Sequence, residues 1–137
     1  RIGFTSAANA LGPDSGANNY KPGLTSTGFE LQIVPGSTGQ QVAFNGGSQG
    51  VTFPAIVVAN DIIVLESDFS ANAVVVKHKA FSGGTVTTIG TYTLTSLIPV
   101  TPTAYVGGNK GPTGDSATIN GGSSAFAVTP TAGYAGW

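Results

Sequence analysis

Large apolar residues in this chain fall in short runs bounded by Gly, Pro and Asn, and no stretch keeps a helical period. From residue 28 onward the pattern is strand, turn, strand. Phe29 to Val34 reads as a strand stopped by Pro35-Gly36, and Gln41 to Phe44 as another stopped by Asn45-Gly46-Gly47. Phe53 to Phe69 is apolar on both faces, either one long buried strand or two strands folded about Asn60-Asp61. Ala73 to Phe81 and Thr85 to Ser96 flank Ser82-Gly83-Gly84 as a hairpin. Leu97 to Val106 follows, and Pro99 and Pro102 favour a sheet edge because proline cannot donate to a ladder. After a Gly/Pro loop at Asn109 to Asp115, Ala117 to Ile119 and Ser124 to Val128 are the last expected strands.

The N-terminus alternates strictly. Ile2, Phe4, Ser6, Ala8 and Ala10 share one side of an extended chain, and Gly3, Thr5, Ala7 and Asn9 the other. A connector poor in large apolar residues separates this strand from the rest. The chain therefore divides into an extended strand and connector at residues 1–24 and a body at 25–137. One reading makes the strand the first of its own sheet. The other makes it a donor that completes a neighbour's sheet, with Ile2 and Phe4 as large anchors and Ala8 and Ala10 in shallower pockets. The C-terminal tail is a poorer donor. Phe126 and Val128 alternate, but Pro130, Gly133 and Gly136 interrupt it, so Tyr134 and Trp137 are expected to pack it down.

Composition agrees with strands. Val plus Ile number 21 against 6 Leu, with 17 Thr, a β-branched excess that suits a pleated surface. Gly at 21 and Pro at 8 recur throughout and leave no room for a long helix. The expectation is an all-β fold, a single antiparallel β-sandwich of jelly-roll type, with an immunoglobulin-like topology as the alternative. No fixed-period repeat points to a solenoid. No apolar run approaches the roughly 18 residues of a membrane helix, so membrane insertion is not expected.

Only 8% of residues are charged, against about 25% in an ordinary soluble domain. The net charge of -1 offers little repulsion between copies, and low charge suits surfaces that become buried. Five scattered cations cannot line a phosphate backbone, so nucleic acid is not an expected partner. Cysteine is absent, which removes disulfides, thiolate metal sites and a cysteine nucleophile. A start at Arg1 with no methionine in the chain leads to the expectation of a removed leader, or of a fragment.

Catalytic candidates lack partners. Gly46-Gly47-Ser48-Gln49-Gly50 matches a nucleophile elbow, but that motif needs a helix after the serine, and Val51-Thr52-Phe53-Pro54 is strand-like. A polar hairpin loop is the simpler expectation there. His78, the only histidine, sits between Lys77 and Lys79 and reads as a structural or surface residue. Glu66 and Asp68, two apart, face the same side of a strand. They are weak candidates for Ca²⁺ or for a glycosidase pair, with a solvated strand end as the plainer reading. No resident cofactor is expected. Thr85, Thr87, Thr91, Thr93 and Thr95 form a threonine row broken by Ile89, expected as the outer face of a half-buried strand opposite Val86, Tyr92 and Leu94. No asparagine heads a glycosylation sequon.

With its alternating segment at Ile2–Ala10, its connector and its charge-poor β body, the chain resembles secreted β-sandwich pilins and biofilm-fibre subunits assembled by donor-strand complementation. The resemblance implies a non-enzymatic subunit of an extracellular or cell-surface filament, a homopolymer of its own copies with a possible role in glycan or surface adhesion. Two other classes fit the composition. One is a viral capsid, decoration or tail protein. The other is a carbohydrate-binding module or lectin, with Tyr20, Tyr105, Tyr134 and Trp137 as candidate aromatics.

Overall fold

The computed structural model describes residues 2–5, 28–34, 36–68, 70–95, 103–106, 120 and 125–133. Its strands are β1 (Ile2–Thr5), β2 (Phe29–Gln32), β3 (Gly39–Phe44), β4 (Gly47–Thr52), β5 (Ile62–Asp68), β6 (Ala73–Lys79), β7 (Thr87–Thr93) and β8 (Thr103–Val106). The described residues contain no helix. The fold is all-β, with two antiparallel sheets in a sandwich. One sheet has the order β4-β3-β2-β1-β8 and the other β5-β6-β7. Each sheet is a meander in which the one non-sequential neighbour pair is β1 beside β8.

The core lies between the sheets. Phe4, Phe29, Leu31, Val42 and Phe53 come from the first sheet and its edge, and Val74, Val76, Tyr92 and Leu94 from the second and its margin. Tyr92 joins the two layers, with its ring centroid 5.6 Å from Phe29 and 5.4 Å from Phe44. Such aromatic contacts add to the stabilisation that area burial already supplies.

Several elements differ from the sequence reading. Asn45-Gly46, with φ of 54° and 77°, makes a tight turn of the two-residue hairpin kind, so the chain folds back earlier than expected. Gly47–Thr52 is therefore a strand paired to β3 and not a loop. It was hard to see because most of its residues are exposed and it holds Gly47, Ser48, Gln49 and Gly50. Residues 53–61 form no strand, although Phe53 and Val57 are buried. This stretch runs beside the β2–β3 loop, with Gly36 N–H donating to Val57 O at 2.8 Å and Phe53 N–H to Thr38 O at 2.9 Å. The buried Gln40 side chain fixes that loop by accepting from Val34 N–H and donating to Val34 O and Ser37 O. Ala125 to Val128 is not a strand either. Among the described strands β8 ends its sheet, and the part of the expected Leu97–Val106 strand that holds Pro99 and Pro102 lies outside the described residues.

The threonine row is broken by backbone as well as by sequence. The β6–β7 register slips between Val76 and Lys77, which face Gly90 and Thr88 and leave Ile89 as the extra residue. Ile89 packs against the core, and Thr87 comes opposite His78. Thr91 and Thr93 stay exposed while Tyr92 is buried, as the alternation required.

Candidate functional site

β1 lies inside its own sheet. Ile2, Gly3 and Phe4 pair with Leu31, Glu30 and Phe29 of β2, and with Val106, Tyr105 and Ala104 of β8. Phe4 is fully buried and stacks on Phe29 at 6.1 Å, and Ile2 is half-buried against the same core. The alternation at Ile2 and Phe4 thus marks a strand with a core-facing side. Ser6, Ala8 and Ala10, and the connector, lie outside the described residues.

Gly3 is the feature of this site that alternation alone did not reveal. It too is buried, and a Cβ there would overlap the Phe29 carbonyl oxygen and come within 2.9 Å of Glu30 Cα. The obstacle is backbone, which cannot rotate away. The slot between β2 and β8 therefore takes this strand only with glycine at its second paired position.

The direction of β1 follows from its register. Phe4 lies level with Phe29 and Phe44, beside the Asn45-Gly46 turn, so the connector leaves at that end. Ile2 points toward the opposite end, where the β2–β3, β4–β5 and β6–β7 connections meet. Val34, Ile56, Val58, Phe81 and Val86 are exposed in those connections.

A buried carboxylate organises this second end. Asp61 Oδ1 accepts from Phe81 N–H at 2.8 Å, and its Oδ2 accepts from Val58 N–H at 3.0 Å and from His78 Nε2 at 2.9 Å. His78 is buried with its ring 5.3 Å from that of Phe53, so it is structural and not a surface residue. Ser48, by contrast, is exposed on β4 opposite Ala43, with strand and not helix after it.

Glu66 and Asp68 each have protein partners. Glu66 is buried, which overturns the solvated strand end. Its Oε2 meets Lys77 Nζ at 2.7 Å and accepts from the Thr131 hydroxyl, while Oε1 accepts from Thr131 N–H. Asp68 Oδ1 accepts from the amides of Ser70 and Ala71 and from the Ser70 hydroxyl, closing the β5–β6 turn. No group of three or more candidate metal ligands occurs among the described residues. The surface over Glu30, Gln32, Gln41, Val42, Ala43 and Ser48 is only slightly concave. Of the candidate aromatics, Tyr105 is in β8, and Tyr20, Tyr134 and Trp137 lie outside the described residues.

Three carboxylates are held below their ordinary values. Burial pushes Asp61 up, but the Phe81 and Val58 amides and His78 outweigh it. Burial likewise raises Glu66, and Lys77 with the Thr131 amide and hydroxyl outweighs it. For Asp68 the Ser70 hydroxyl and Ala71 amide dominate. Each group therefore contributes stability that is present above its ordinary value of 4.5 for Glu66 or 3.8 for the aspartates, and that is lost as pH falls through the lowered folded value. Urea midpoints should contain no loss from these groups between pH 7 and 5, and should show a loss from them at pH 3.

No family model, curated protein or solved structure matches this chain.

Proposed function

We propose that this chain is a structural subunit of an extracellular filament, without a catalytic role, and that it polymerises by giving β1 to a neighbouring copy. The observation that carries this reading is the position of β1. It is the N-terminal strand, it lies within a sheet between β2 and β8, and 23 residues (Ser6 to Gly28) separate it from β2. Fully extended, such a connector spans at most roughly 75–80 Å, enough to enter a second body from its Asn45 end.

An exchanged strand makes the same hydrogen bonds and core contacts in either chain. Exchange alone is then nearly neutral, and closure within one chain is favoured below an effective concentration on the order of millimolar. Net drive toward a polymer has to come from contact between bodies. The exposed Val34, Ile56, Val58, Phe81 and Val86 offer apolar area for that contact, and a net charge of -1 opposes it little. Assembly is accordingly expected to rise steeply with concentration and to respond weakly to salt.

Deleting Arg1 to Ala10 should abolish fibres in electron micrographs of concentrated protein. Fibres of unchanged form after the deletion would show that β1 is not the donor.

A further inference from the structure

The Glu66–Lys77 pair lies on the outer face of the β5-β6-β7 sheet. Val74, Val76 and His78 of β6 point into the core, so Val75, Lys77 and Lys79 point out, and Glu66 is directly opposite Val75. An ion pair in that position would ordinarily be solvated and of little consequence. Here the side-chain exposure is only 5% for Glu66 and 13% for Lys77. The segment of residues 125–133 accounts for this. Thr131 donates its amide to Glu66 Oε1 and its hydroxyl to Glu66 Oε2, and its hydroxyl oxygen also takes Lys77 Nζ. Val128, three residues earlier, is buried.

The segment is not a strand, and Pro130 has no N–H to give to a ladder. Among the described residues it is held by the buried Val128, by the Thr131 clamp and, at its start, by Asn120 Nδ2 donating to Ala125 O at 3.0 Å. The clamp reads a chemical pattern, an apolar β-branched residue followed three positions later by a hydroxyl residue whose amide is also free to donate. Val128 is the one buried apolar side chain among residues 125–133, and segments with few buried apolar contacts open at low free-energy cost. This one is joined to β8 through 18 residues, Gly107 to Ser124, whose full extension is at most about 60–65 Å.

We infer that the Glu66–Lys77 pair is a binding seat for a Val-x-x-Thr segment, and that in assemblies it takes the 125–133 segment of a second copy of this chain. This link is separate from β1. It joins the outer face of one sandwich to the C-terminal arm of another, so each copy offers two exchangeable arms and two seats.

The test uses two full-length variants. One, Val128→Ser with Thr131→Ala, weakens the arm and leaves the seat. The other, Glu66→Leu with Lys77→Met, removes the seat as a pair, so that no buried charge is left alone, and leaves the arm. Isotope-labelled arm variant is titrated with unlabelled seat variant, and amide shifts are read along β5 and β6. Saturable shifts at Glu66, Val75 and Lys77 are expected. They should be weaker by roughly tenfold or more in labelled wild type, whose own arm competes at high effective concentration. Shifts absent up to millimolar protein, or equally strong in wild type, overturn the inference, as do shifts that persist when the titrant also carries Val128→Ser and Thr131→Ala. If the labelled double variant is not folded by its own spectrum, Thr131→Ala alone takes its place with the same readings. Because the shifts lie on β5 and β6, the result is independent of whether β1 exchanges.

Discussion

Gly3→Val should unseat β1 and lower stability by roughly 3–5 kcal/mol, about what the loss of a buried Phe side chain costs. The added side chain meets the Phe29 carbonyl and Glu30 Cα, which are fixed by pairing with β3. β1 then has to shift as a whole, and Phe4 leaves its stacked position on Phe29. The valine does not itself remove any core atom, so the loss reports the position of the strand and not packing volume. Urea unfolding measures it as a lower midpoint. An unfolding free energy within about 0.5 kcal/mol of wild type, the ordinary range of surface substitutions, would mean that β1 is not held in this register. The same variant should fail to form fibres, because the slot of a neighbour is built from the same backbone.

Asp61→Ala should cost roughly 2–3 kcal/mol, as expected when a carboxylate that accepts three hydrogen bonds, one of them from the buried His78, is removed. Three donors lose it together: Val58 N–H, Phe81 N–H and His78 Nε2. The effect should be local as well as global. Amide exchange at Val58 and Phe81 should quicken well beyond the change at β2 and β3, since the Asp61 carboxylate holds both amides and ties the β4–β5 connection to the β6–β7 hairpin. Asp61→Asn keeps one carbonyl acceptor and should fall between alanine and wild type.

Much of the fold was legible in the sequence, for identifiable reasons. β2 alternates Phe29 and Leu31 with polar residues, β5 and β6 open with the runs Ile62 to Leu65 and Val74 to Val76, and β7 is rich in β-branched residues, signals that need no tertiary information to read. β4 was missed because Gly47, Ser48, Gln49 and Gly50 give no apolar alternation; its pairing comes from the Asn45-Gly46 turn, which sets the register from outside the strand. Phe53 to Val58 was misread in the other direction. Its apolar residues fill one end of the sandwich from a loop, a placement that composition cannot separate from a strand.

The site residues divide in the same way. Ile2 and Phe4 were marked by their spacing, whereas Gly3 counted only as the residue between them until its distance to β2 was known. His78 and Asp61 are 17 residues apart, and Glu66 and Thr131 are 65 apart. Charge pairs at such separations leave no local pattern. Glu66 and Asp68 looked like one acidic pair because they are two apart, yet each serves a different contact: Glu66 the C-terminal arm and Asp68 the β5–β6 turn.

The most direct test of a donated β1 is solid-state NMR on fibres grown from an equal mixture of two differently isotope-labelled preparations. The account predicts contacts from Ile2 and Phe4 of one label to Phe29 and Leu31 of the other. Fibres in which those contacts arise only within a single label would contradict it.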